Sequence, residues 1–393
     1  MSRGLVAALV AFATFTDILA YSIAVPVLPH LSQQFGASPT LIGLLFGSFG
    51  VTVLAVSVPM GSVSDRIGRR LPLVGGLIVL AAASVLFAFA PSMPWLFAAR
   101  LVQGAADAVT WVVGFALIAD LYTARERGRV MGLVMSGSTF GFMVGPTLGG
   151  WLYERGGARM PYLAVAALAI VAAAGFAALH LPRGSRTHEA VPLRAILKVR
   201  AVTVCALAFA VGGGTLAMIE PILSLFLAAE IKLGPARIGL VFGAGAVVAT
   251  VLHPVFGRVA DRTGGRRLTL WGLAAIGATL PLSAWITSFG SAVAINAVAA
   301  VAFAVLVTPS LTYMAEATSS AGSASFGVAY GLYNFAWSLG LLAGPALGGV
   351  LYERIGFMRL CVAWAIALLA IAAVLARAAT PAVATGAETT HHT

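Results

Sequence analysis

From Leu5 to about Pro29 the chain is apolar except for one carboxylate, Asp17. A run of about 25 residues is roughly 37 Å long as a helix, enough to cross a bilayer with some tilt. Asp17 stands halfway along it, near the bilayer midplane. An ionised carboxyl there costs on the order of 2.5–3.5 kcal/mol, so it must face protein or water rather than lipid. A second acid in the same predicament, Glu220, follows about two hundred residues later in Met218-Ile219-Glu220-Pro221.

The pattern recurs along the whole length. Apolar residues make up 60% of the 393 and charged residues only 9%, against about a quarter in a soluble domain. That supply fills about twelve spans of about twenty residues. The spans are expected at 5–29, 40–63, 71–91, 93–121, 128–153, 158–181, 201–228, 235–259, 267–286, 289–315, 322–352 and 357–378. The alternating signature of a membrane barrel is absent, so the fold class is all-α integral membrane with twelve transmembrane helices.

The formal charge of +11 could suggest nucleic acid, but its placement does not. Arg66, Arg69 and Arg70, Arg125 to Arg129, and Arg258 to Arg267 fall in every second loop. The other side carries few: Arg155, Arg159, Lys232, Arg237, Arg354 and Arg359. By the positive-inside rule both termini are cytoplasmic, and the chain is expected to be multi-pass in the inner (plasma) membrane, with anionic lipid rather than nucleic acid near its basic loops. A monomer is expected. Cys205 and Cys361 lie within spans and imply no disulfide framework. The first apolar run is too long for a cleavable signal.

The longest polar stretch, Pro182 to Val199, divides the chain into six-helix bundles at 1–181 and 200–379. A short amphipathic helix at 192–198 is expected within this 182–199 linker, and 380–393 reads as a disordered tail. The halves repeat. Gly61-Ser62-Val63-Ser64-Asp65-Arg66-Ile67-Gly68-Arg69-Arg70 returns from Gly257 to Arg267, an offset of 196. Gly145-Pro146-Thr147-Leu148-Gly149-Gly150-Trp151-Leu152-Tyr153-Glu154-Arg155 returns from Gly344 to Arg354, an offset of 199. Two motifs at nearly one offset point to pseudo-symmetric bundles with a site between them.

At these residues the chain resembles the major facilitator superfamily. Gly61 to Arg70 matches the family's loop between helices two and three. Arg100-Leu101-Val102-Gln103-Gly104 matches its fourth-helix motif, common in proton-coupled members, and Gly141 to Gly150 the fifth-helix motif of antiporters. Asp17 with Pro26 and Pro29, and Glu220-Pro221, look like the drug:proton antiporters, including the vesicular monoamine transporters. There, acids on helices one and seven serve amine recognition and proton coupling. The match is partial: where those relatives carry a lysine on helix two and acids on helices ten and eleven, Phe49, Ala304 and Asn334 stand here.

The resemblance implies a proton-coupled exporter of amphipathic, cationic or amine-bearing compounds working by alternating access. Burial favours the protonated form of a carboxyl and a nearby cation the ionised form, so proton and amine can compete for one group. Asp17 and Glu220 are the candidates, with Tyr21 one turn beyond Asp17 to steady it, and Tyr330 and Asn334 beside an aromatic surface that includes Trp111, Tyr333 and Trp337. Pro221 loosens the helix beside Glu220. Arg100 and Asp107 lie seven residues apart, about 10.5 Å along one face, with Gln103 between as a bridge: a proton relay or a static network.

Asp65, Arg66 and Arg70 read as a gate on the cytoplasmic side, with Arg66 pairing to Asp120. Gly145 and Pro146 sit in a glycine stripe that permits close approach and a bend. Each residue also has a plainer reading as helix packing or loop topology. There is no phosphate-binding Gly-x-x-x-x-Gly-Lys loop and no metal-ligand spacing among the histidines, so no cofactor, metal or enzymatic activity is expected. A facilitator or symporter of neutral solutes such as sugars stays open, as does a transporter-like sensor or scaffold that moves nothing.

Overall fold

The computed structural model describes residues 3–179, 199–320 and 326–379. The expected linker helix at 192–198 and the tail at 380–393 lie outside the described residues. Everything ordered into elements is helix: α1 (Arg3–Ser22), α2 (Leu28–Phe35), α3 (Pro39–Ile67), α4 (Arg70–Ala88), α5 (Met93–Leu121), α6 (Ala124–Gly156), α7 (Met160–Ala178), α8 (Arg200–Ala229), α9 (Pro235–Thr263), α10 (Gly265–Thr279), α11 (Phe289–Ser320) and α12 (Phe326–Ala379).

Among the described residues, ten segments are long and apolar enough to cross a membrane. The first joins α1 and α2 through a 3₁₀ turn at Val25–Val27, where Pro26 and Pro29 withhold backbone donors. The last is broken at Gly356 (φ 78°, ψ 167°) and counts as two crossings. With α6, whose 33 residues begin at a Thr123–Glu126 capping box, the expected twelve crossings are complete. The termini therefore share one face, called here the termini face; loops such as Gly36–Ser38 and Gly157–Arg159 mark the far face.

Each half has its own apolar core. One is built on Val6, Leu77, Val113 and Phe176, the other on Val202, Leu273, Leu306 and Leu368. The halves meet through crossed pairs, α3 with α12 and α6 with α9. At the far face these pairs touch backbone to backbone. A Cβ on Gly43 would meet the carbonyl of Pro345, and one on Gly239 the carbonyl of Pro146. Ser224 of α8 donates to the carbonyl of Val25 at 2.7 Å, and Thr147 of α6 to that of Gly239 at 3.1 Å. Small residues allow this approach where lipid supplies no hydrophobic drive between helices.

The glycine stripe does a different job on its other side. Gly141, Gly145 and Gly149 lie against Phe15, Ser22 and Ile23 of the first crossing. It thus pins α6 to α1 within one half, while Pro146 and Gly150 face α9 in the other.

Candidate functional site

Between the halves, on the termini side of this seal, lies a cavity of about 310 Å³. The first half gives it Tyr21, Phe49, Asp107 and Trp111. The second gives Phe209, Glu220, Tyr333, Asn334 and Trp337. Ring faces dominate the wall: Phe209 stacks on Tyr333 with centroids 3.6 Å apart and lies 5.8 Å from Trp337.

Three acids converge here. Glu220 lines the cavity although only 2% of it is exposed, and neither carboxyl oxygen has a hydrogen-bond partner. Its electrostatic partners are the Arg100 cation and the neutral Tyr21 phenol. Asp17 is 1% exposed, also unpartnered by ordinary hydrogen-bond geometry, and its carboxyl faces that of Asp107. It is Asp107, and not Asp17, that reaches the cavity, next to Trp111. The midplane acid on α1 is therefore one carboxyl removed from the space a solute could occupy.

Arg100 is fully buried on α5. Its guanidinium carbon stands 4.1 Å from the ring centroid of Phe46 and 5.5 Å from those of Tyr21 and Phe87. The negative ring faces stabilise the cation in place of a close carboxylate. Nη1 donates to Oε1 of Gln103 at 3.4 Å, while Nε and Nη2 find no hydrogen-bond acceptor.

Several expectations need correction. Tyr21 does not steady Asp17: its hydroxyl has no hydrogen-bond partner, and its ring packs on Phe46 and Phe49. Four residues of helix turn 400°, which leaves the phenol about 40° round the axis, toward Glu220. Gln103 reaches Arg100 but does not bridge to Asp107, because its Nε2 is unpartnered. At the termini face Arg66 is exposed and is not the partner of Asp120. Arg69, 5% exposed, takes that place, with Nη1 2.6 Å from Asp65 and Nε 2.9 Å from Asp120. Arg70 donates to the carbonyl of Ala177 at the end of α7. Asn334 is on the cavity wall as expected; the side chain of Tyr330 lies outside the described residues.

Sequence reasoning passed over a polar strip on the second half's wall. His253 of α9 holds Thr308 of α11 at 2.7 Å through Nδ1, and Asn296 donates to the carbonyl of Val241 at 2.8 Å. Thr250 and His253, three apart on one helix face, were the legible signal.

A family model described as the Major Facilitator Superfamily matches residues 10–326 and, in a second match, 205–391. The human chromaffin granule amine transporter is 27% identical over 321 residues, covering 81% of this chain and 61% of that protein. The human vesicular acetylcholine transporter is 30% identical over 355 residues, covering 85% and 64%. The chain thus spans about three fifths of the length of these relatives. Among solved structures, an inward-facing, occupied bacterial homolog of the human lysosomal transporter Spinster superposes with a TM-score of 0.83 at 17% identity, covering 97% of this chain and 99% of that one.

Proposed function

Since the chain belongs to the major facilitator superfamily, we propose that it is a multi-pass antiporter that exchanges protons for an amphipathic, cationic, amine-bearing small molecule. One observation carries this reading: a cavity between the two halves, walled by aromatic rings and lined by the carboxyls of Asp107 and Glu220, with Asp17 buried behind the first and Arg100 buried near the second. Such a space attracts one organic cation through ring faces and charge together. The amine and acetylcholine carriers among the relatives handle solutes of that chemistry by name.

Each group then has a role. Asp107 and Glu220 meet the cargo from opposite halves. Asp17, behind Asp107, holds the proton that is exchanged, and passing it through Asp107 to the cavity couples the two. Arg100, held by Gln103 and its ring cage, keeps a fixed positive charge near Glu220 so that only one carboxyl-bound cation is favoured at a time. Asn334 and Tyr21 shape the pocket. Asp65, Arg69, Arg70 and Asp120 close the termini face in the opposite state, and Gly145 with Pro146 carries the bend of α6. The bundles 1–181 and 200–379 rock as two bodies, as a monomer in the plasma membrane with both termini cytoplasmic, and the cargo leaves the cell. Multidrug efflux is the physiological form this takes.

The test is transport itself. Purified protein in liposomes with an acidic interior should accumulate a fluorescent organic cation, and collapsing the gradient should stop accumulation. Uptake indifferent to the gradient, or surviving loss of Asp17, Asp107 and Glu220 together, would refute the exchange.

A further inference from the structure

Glu154 and Glu353, near the end of the repeated motif, do not line the cavity, yet both reach across to the other half. Glu353, at the end of the first arm of α12, accepts a hydrogen bond from the backbone N–H of Thr40 at 3.0 Å. Glu154, at the end of α6, accepts one from the N–H of Ala236 at 3.2 Å. Both donors sit in the same place. Thr40 follows Pro39 in α3 behind the cap Ser38, and Ala236 follows Pro235 in α9 behind the cap Gly234. A proline at the first helical position has no N–H, so the next residue offers the first free donor. The two acceptors are 199 residues apart and the two donors 196, the offsets of the internal repeat.

We propose that Glu154 and Glu353 are a pair of symmetry-related gate residues that hold the far face closed. Each carboxylate caps the positive end of a helix in the opposite half, where a negative charge is favoured. Directly beneath, Gly150 lies on the carbonyl of Pro235 and Gly349 on that of Pro39, so cap and seal form one unit on each side of the axis. Arg155 does not neutralise its neighbour: its guanidinium lies 4.1 Å over the Trp151 ring. Opening the far face must break both caps and leave the carboxylates and the freed helix ends to water. The pair therefore sets how much of the protein rests closed at that face, whatever the cargo.

The inference rests on the two halves moving as proposed, but its readout needs neither cargo nor proton gradient, so a failed exchange assay leaves it standing. The full chain in lipid nanodiscs carries spin labels at Pro91→Cys and Thr287→Cys, on far-face loops of opposite halves; native Cys205 and Cys361 are buried. Pulsed electron resonance then measures the gap. Glu154→Ala and Glu353→Ala should each raise the wide-gap population about threefold relative to the closed one, and together about tenfold. An unchanged distance distribution in the folded double variant overturns the proposal. If that variant does not fold, Glu154→Gln with Glu353→Gln decides: it keeps the acceptor but loses the charge, and should raise the wide-gap population about threefold, whereas no change again overturns it.

Discussion

Arg69 donates from Nε to Oδ2 of Asp120 at 2.9 Å, tying the turn between α3 and α4 to the end of α5. The same guanidinium holds Asp65, one turn before it, and the hydroxyl of Ser64. Arg69→Ala strands Asp120, which is 15% exposed, and should destabilise by about 1–3 kcal/mol, lowering the melting temperature by several degrees in a fluorescence melt. Arg66→Ala should leave the melt where it is. Equal effects at both positions would restore the pairing expected from sequence. Arg69→Lys should not rescue, because a point charge cannot serve two acids with a planar fork.

Asp17 carries a different signature. Removing a carboxyl that is buried, unpartnered and opposed by another carboxyl relieves a cost. Asp17→Asn should therefore stabilise the fold, by about 1 kcal/mol or about 2–4 °C, while reducing gradient-driven cation uptake at least tenfold. A gain in stability with loss of transport is the mark of a functional residue held at structural expense. Lower stability together with normal uptake would make Asp17 an ordinary packing residue.

The far-face seal makes a steric prediction. At Gly43 and Gly239 a Cβ has only backbone to meet, so Gly43→Ala and Gly239→Ala should pry the crossed helices apart and destabilise. At Gly75, exposed and with open space around it, alanine should be neutral or stabilising by about 0.5–1 kcal/mol. Comparing the three melts separates close approach from a general effect of helical glycine.

Aromatic contact with a cation can be told from plain burial by its selectivity. Trp337→Leu keeps an apolar wall but removes the best ring face. It should weaken binding of a quaternary ammonium probe by about 2- to 30-fold, and that of a neutral ligand of the same shape far less. Equal losses for both ligands would assign Trp337 to packing with Phe209.

The architecture was readable because spans, basic loops and the internal repeat are one-dimensional signals. Periods of about twenty apolar residues need no tertiary knowledge. Choosing among Arg66, Arg69 and Arg70 was different. Three arginines within five residues point in three directions, and only the start angle of α4 decides that Arg69 is the one turned inward. The same holds for Asp17: its burial within the first crossing was legible, but whether it or Asp107 meets the cavity depends on the rotation of α1 against α5. His253 was discounted as lying near a span end, yet α9 continues to Thr263 and carries it on the cavity wall. The carbonyl contacts of Gly43 and Gly239 were hidden altogether, since a glycine records the absence of a side chain and not the identity of its neighbour.

Gly356 joins the last two crossings with no intervening loop, flanked by Glu353, Arg354 and Arg359. A hairpin so tight has no slack for its arms to enter the bilayer one after the other. During synthesis the pair must be threaded as a single object, with its charged tip carried through the apolar layer in one passage. Lengthening that tip by a few glycines should ease assembly and, by the same stroke, uncouple the final helix from the arm that ends in Glu353.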